Sequence, residues 1–160
     1  MNPITQKTET QLSSEQYRDL LNMILSNIKS TRISMARRMN TAVIELYWNI
    51  GKSISERKIE EGYGSTLIKR LSTDLKKEFP QMGLSPRNLW DMKRFYERFE
   101  HFPEKVRQLV AVLPWGHILL IINKLQEDKA VEYYIQQTVE MGWSRNVLLN
   151  FIKADAYGHS

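Results

Sequence analysis

Cysteine is absent from this 160-residue chain. Disulfides, thiolate metal sites and cysteine nucleophiles are excluded with it. The absence suits a reducing compartment, and a cytoplasmic protein is expected. Histidine is scarce: His101, His117 and His159 lie far apart. No HExxH, no glycine-rich phosphate loop and no GxSxG is present. Long apolar runs are missing too. The longest, HILLIIN over 117–123, is far short of a membrane span. The opening MNPITQKTETQ lacks the apolar core of a signal peptide. Glu56-Arg57-Lys58 and Glu127-Asp128-Lys129 have the Glu-x-Lys spacing of some metal-dependent nucleases. Both sit in helical context, with no preceding strand and no acidic partner to complete a Mg²⁺ site, so they read as solvated charges. No cofactor, no metal and no membrane partner are expected, and no catalysis by this chain itself.

Proline and glycine are thin where they matter most. From Ser13 to Glu61 there is no proline, and Gly51 is the only glycine. Apolar residues recur there at helical spacing: Tyr17, Leu21, Ile24 and Ile28, then Met35, Met39, Ala42, Val43, Leu46, Ile50 and Ile54. One long helix is predicted, or two in line with a break near 29–34. A pattern this long leaves part of the helix free to pair, with Tyr17, Leu21, Ile24 and Ile28 as the interface of a homodimer.

What remains is ordinary soluble composition, 42% apolar and 26% charged, enough for one domain with its own core. Gly62-Tyr63-Gly64 stops the first helix. Ser65 is then expected to cap a helix to about Phe79, with Leu67, Leu71, Leu75 and Phe79 on one side. A helix over 86–100 follows, then a segment opening at Pro103. His117–Asn123 could be strand or buried helix; its continuation to Leu125 favours helix. Residues 128–140 read as a helix with Val131, Tyr134, Ile135, Thr138 and Val139 inward. Gly142 ends it, and Ser144 caps a last helix through Leu148, Leu149 and Ile152. The fold class is all-α. The expected organisation is a flexible tail over 1–12 and a single helical domain over 13–155.

Net charge is +5, and it is concentrated. Residues 29–58 carry seven Lys/Arg against two acids, and 64–99 carry eight against four. Local excess of this kind favours an anionic partner such as nucleic acid. In GLSPRNLWDMKRFYERF, residues 83–99, Ser85 is an N-cap and Pro86 the first helical residue. At 100° per residue, Leu89, Met92, Phe95, Tyr96 and Phe99 share an arc of about 120°. Arg87, Trp90, Arg94 and Arg98 share the opposite side within about 80°, and Lys93 flanks them. Asn88 belongs to the cap. Arginines alone fit a solvated face, with Asp91 pairing along the helix. A tryptophan in a polar face needs a cover, either another segment or a partner. Arginine forks meet phosphates and guanine edges, and indole stacks on bases. Lys69, Arg70, Lys76 and Lys77 precede on the previous helix. The order is that of a helix-turn-helix, although the Phe79–Ser85 loop exceeds the usual turn of about 3–4 residues. Trp48, Trp115 and Trp143 read as core anchors.

Five blocks carry a resemblance: ELYWNIGKSI (45–54), GYGSTLIKRLSTDLKKEFP (62–80), GLSPRNLWDMKRFYERF (83–99), LPWGHILLIINK (113–124) and EYYIQQTVEMGWSRNVL (132–148). In this order they resemble the N-terminal domain of the YhcG family of bacterial proteins, a domain of unknown function. The resemblance implies a second, C-terminal domain of the PD-(D/E)XK nuclease superfamily, expected to lie outside this chain, linked in cis or met in trans. It also implies that the N-terminal domain binds DNA or a partner on the nuclease's behalf. Two functions are therefore expected. The first is a non-catalytic DNA-binding module that targets or regulates such a nuclease. The alternative is a protein-interaction or oligomerisation module without nucleic-acid contact.

Overall fold

A computed structural model describes residues 12–160; of the expected 1–12 tail, all but Leu12 lies outside the described residues. Those residues form seven helices and no strand: α1 (Ser14–Glu56), α2 (Ser65–Glu78), α3 (Pro86–Phe99), α4 (Glu104–Val110), α5 (Trp115–Lys124), α6 (Asp128–Met141) and α7 (Arg145–Lys153). No helix among them is long and apolar enough to cross a membrane. Contacts divide the chain into two units, Met1–Met39 and Asn40–Ser160.

The described part of the first unit is the opening half of α1. It runs without a break through 29–34, as a stretch free of proline and glycine allows. Every residue from Leu12 to Ile33 is exposed.

In the second unit α3 is the central element. Leu89 and Met92 join Tyr47, Ile54, Ile68 and Leu84 in one cluster. Phe95 and Phe99 join a larger one with Ile44, Val110, Ile118, Ile121, Val131 and Ile135 among its members. Trp115 packs against both clusters and meets Tyr47 and Phe95 edge-on. Trp48 stands edge-on to Phe95 and Tyr96, and Trp143 stacks on Phe151. These three tryptophans are anchors, as their context predicts.

The close crossing of α1 over α3 depends on Gly51. A Cβ there would lie 2.0 Å from the carbonyl oxygen of Met92 and 3.1 Å from the amide nitrogen of Lys93. Only a residue without a side chain lets the two backbones approach this closely. The Phe79–Ser85 loop is held at two points. Tyr47 Oη donates to the Met82 carbonyl at 3.0 Å, and Ser72 Oγ to the Leu84 carbonyl at 2.6 Å.

Two local expectations change. The buried side of α2 is Ile68 and Ser72, flanked by half-buried Leu71 and Leu75; Leu67 and Phe79 are exposed. Leu67 lies about 100° from Ile68, off the packed arc. Phe79 falls beyond the last helical turn, at φ −132° and ψ 68°, where the helical projection no longer applies. Ser72 is buried because its hydroxyl is satisfied by Leu84. Ser65 also does not cap α2. Gly64 occupies that position, and Ser65 Oγ accepts from the Gly62 amide at 3.2 Å.

A third change is the end of α1: it stops at Glu56, with Lys58 in the left-handed region at φ 56°, ahead of the expected Gly62-Tyr63-Gly64 stop. The other signals hold. Ser85 and Ser144 cap α3 and α7 by accepting from Asn88 and Val147 amides. Gly142 ends α6 in the left-handed region at φ 65°. Trp115–Lys124 is helix rather than strand. His117 Nε2 hydrogen-bonds the Trp143 carbonyl at 2.8 Å and ties α5 to the α6–α7 corner.

Candidate nucleic-acid interface

The basic residues named from sequence fall into two groups. Helix α2 carries Lys69, Arg70, Lys76 and Lys77, all exposed. At 100° per residue they fill one arc of about 120°, roughly opposite the packed Ile68–Ser72 side. None of the four forms an ion pair or a side-chain hydrogen bond among the described residues. Thr66 and Thr73 fall inside the same arc, where the same projection places them from sequence. Thr73 Oγ1 donates to the Lys69 carbonyl at 2.9 Å.

Helix α3 is different. Lys93, placed by the sequence on the flank of a binding face, is instead buried, its side chain 9% exposed. Its ammonium lies 3.1 Å from Glu60 and 3.4 Å from Glu97. Burial alone would lower its pKa, but the hydrogen bond to Glu60 and the charges of Glu97 and Glu60 outweigh that, and the pKa is raised. The physical reason is the Gly51 crossing, which brings α1 down over the Met92–Lys93 backbone.

Arg98, counted in the same stripe, is also committed inward. One guanidinium nitrogen donates to Asp128 at 2.7 Å and the other to the Gln126 carbonyl at 2.9 Å. The group sits over the Phe102 ring, 5.3 Å from its centre, and its side chain is 19% exposed. It fastens the end of α3 to the start of α6. Arg94 is shared: it pairs with Asp91 at 3.0 Å and donates to Asn123 at 2.7 Å, yet stays 43% exposed. Arg87 is exposed and unpaired among the described residues.

Trp90 is half-buried against the Tyr47–Ile68–Leu89 cluster, so its cover is in part intramolecular. Its remaining edge lies in an open depression with Arg87, Arg94, Asp91, Glu61, Gly62 and Ser65. The structure thus brings Arg87, Trp90 and Arg94 together. Arg98 borders a second hollow with Glu97, Ile122, Leu125 and Gln126, and Arg94 lines both. Asn88 is structural: it donates to the Gly83 carbonyl at 2.5 Å and accepts from the Trp115 indole at 2.8 Å.

Among the described residues no three His, Asp or Glu side chains gather into a cation-sized cluster. In helix-turn-helix terms, the exposed basic member of the pair is the first helix, and the second is a core helix.

The family model described as the DUF1016 N-terminal domain matches residues 23–159. The chain belongs to this family. DUF1016 is the YhcG family, so the five sequence blocks and the family match agree. No curated protein and no solved structure matches the chain. In this DUF1016 N-terminal domain the matched region takes in the candidate interface on α2 and α3 whole. It begins inside the apolar Tyr17–Ile28 seam, between Leu21 and Ile24.

Proposed function

We propose that this DUF1016 N-terminal domain is a non-catalytic module that binds nucleic acid, DNA before RNA, and so positions a PD-(D/E)XK-type nuclease in cis or in trans. The observation that carries the reading is the outer face of α2: four basic side chains and two threonines in one arc, without internal acidic partners. Asp74 and Glu78 lie on the same helix but outside this arc, and neither forms an ion pair with it among the described residues. Lys69 and Lys76 stand about 10 Å apart along the helix axis, a separation of about three phosphates along one strand. Arg87 and the exposed part of Arg94 share a depression with half-buried Trp90, beside Glu61 and Asp91, and can add further phosphate contacts.

Phosphate contacts of this kind make affinity salt-dependent. Four of them give a slope of about −3.6 in log K against log salt, or about a hundredfold loss from 50 to 200 mM. The test is fluorescence anisotropy with labelled duplex DNA, single-stranded DNA and RNA across that salt range. Replacing Lys69, Arg70, Lys76 and Lys77 together by glutamine is expected to remove most of the affinity and flatten the slope. The fold should stay intact, since exposed substitutions cost at most about 0.5 kcal/mol each. No binding by the intact chain at 50 mM salt, or a quadruple variant that binds as before, would end the proposal.

A further inference from the structure

The turn ahead of α2 is closely built, yet it leaves one large side chain unused. Gly62 stands at φ 96°, where glycine is favoured. A Cβ on Gly64 would collide with the Ile59 side chain and the Glu60 carbonyl. The Gly64 amide donates to that carbonyl at 2.7 Å, and the Gly62 amide to Ser65 Oγ at 3.2 Å. The backbone therefore needs both glycines. Tyr63 between them is 99% exposed, and among the described residues it has neither an aromatic neighbour nor a hydrogen bond to its hydroxyl. Glycine, proline and small polar residues are the usual choices in turns. A phenol ring held out on a fixed backbone adds nothing to this fold and is preorganised for a cover.

Its surroundings indicate which cover. Glu61, Gly62 and Ser65, on either side of Tyr63, line the depression that holds Arg87 and Arg94. In the other direction α2 begins at Ser65, and its basic arc opens with Thr66 and Lys69. Lys69 stands about 6 Å along the axis from Ser65, close to two nucleotide steps of about 3.4 Å. Tyr63 is therefore at the junction of the two exposed basic surfaces. Of the nearby acids, Glu60 is paired with Lys93 and Asp91 with Arg94. Glu61 is the carboxylate left over, against Arg87, Lys69 and Arg70.

Cations that follow a backbone, with an aromatic face beside them for a base, are the means by which single strands are held. We propose that Tyr63 stacks on an unpaired base of the nucleic acid that α2 holds. The ligand is then a single strand, alone or flanking a duplex, rather than uninterrupted duplex. This rests on the nucleic-acid reading of α2 and adds the substrate class to it. Inside a continuous duplex both faces of every base are taken by its neighbours, and the ring has nothing to stack on. A strand whose phosphates run past Lys76 and Lys69 brings its next bases to the turn.

Anisotropy of the full chain at 50 mM salt, with labelled single-stranded DNA and with duplex closed by hairpins at both ends, tests this. Tyr63→Ala is expected to weaken single-strand binding about 5–150-fold, the 1–3 kcal/mol of one stacked base at 1.4 kcal/mol per tenfold. Duplex affinity should stay as it was. The salt slope should also stay, because stacking releases no counterions. Tyr63→Phe should bind like the parent, since the ring and not the hydroxyl makes the contact. A strand carrying 2-aminopurine should lose fluorescence on binding the parent and Tyr63→Phe, and much less on binding Tyr63→Ala. Single-strand affinity unchanged in Tyr63→Ala, an equal loss on strand and duplex, or a loss in Tyr63→Phe as large as in Tyr63→Ala would overturn the stacking. If the glutamine variant of α2 loses binding while Tyr63→Ala keeps it, the nucleic-acid reading stands and this inference falls. No binding of either DNA by the parent ends both.

Discussion

Helices α2 and α3 each carry four basic side chains, yet their surroundings put them to opposite uses. On α2 all four face solvent without an acidic partner among the described residues. On α3 Lys93 is buried between Glu60 and Glu97, Arg98 is clamped by Asp128 and the Gln126 carbonyl, Arg94 is half engaged, and Arg87 alone has no partner among the described residues. The difference lies in how many sides are packed. Helix α2 rests on the core along one arc. Helix α3 is crossed by α1 at Gly51, and residues at or just after the end of α5 and at the start of α6 reach its arginines. A basic residue is available to a ligand only where no neighbouring element brings a carboxylate or carbonyl to meet it.

This contrast can be broken most forcefully at its cause. Gly51→Ala would drive a Cβ into the Met92 carbonyl. It is expected to cost about 3 kcal/mol by overpacking, or about 6–12 °C in melting temperature for a domain of this size. A calorimetric scan checks it, and a melt unchanged within a degree would contradict the close crossing.

The clamp on Arg98 comes next. Arg98→Ala is expected to destabilise by about 2 kcal/mol, the scale of charge-assisted hydrogen bonds, while leaving nucleic-acid affinity nearly unchanged. Paired denaturant titrations and anisotropy measurements separate the two effects. A variant of wild-type stability with weakened binding would return Arg98 to the ligand face.

Lys93→Met probes the buried ammonium. Its partners Glu60 and Glu97 are themselves exposed, so the expected cost is about 1 kcal/mol at neutral pH. The folded-state pKa is raised, so this contribution is complete below the ordinary lysine value of about 10.4. It is lost only as pH rises through the higher folded value. Denaturation at pH 7 and in the strongly alkaline range should show the gap between variant and parent closing only in the latter.

The smallest effect is expected at Arg87. Arg87→Ala should leave stability within about 0.5 kcal/mol and reduce the salt slope of binding by about one contact. A large loss of stability there would show that Arg87 is tied down like its neighbours on α3.

Much of the local structure was legible in the chain. Ser85-Pro86 and Ser144 announced their helices because capping is a contact between residues three apart. Gly142 marked a stop because a left-handed residue favours glycine. The apolar arc of α3 followed from spacing alone. Legibility failed where a partner was distant in sequence. Nothing near Lys93 reveals that Glu60 will reach it, and nothing near Arg98 reveals Gln126 and Asp128. Leu67 and Phe79 looked inward by spacing, but the packed arc of α2 was fixed by Ser72 meeting Leu84 across the loop. Trp90 divided the same way: its position on the polar side was readable, its partial cover by the α1–α2 cluster was not.

By itself the sequence determined an all-α chain, its helix starts and stops, its family blocks and the two stretches where positive charge gathers. These depend on propensities, caps and a 100° step, all of which act over a few residues. Only the tertiary structure decided which charges stay free. Gly51 allows α1 to close over α3, and α6 begins beside Arg98, so α3 spends its basic side chains within the fold and α2 keeps its own for solvent. Ion pairing across tens of residues depends on where backbones meet, and local sequence does not encode that meeting point in any single segment.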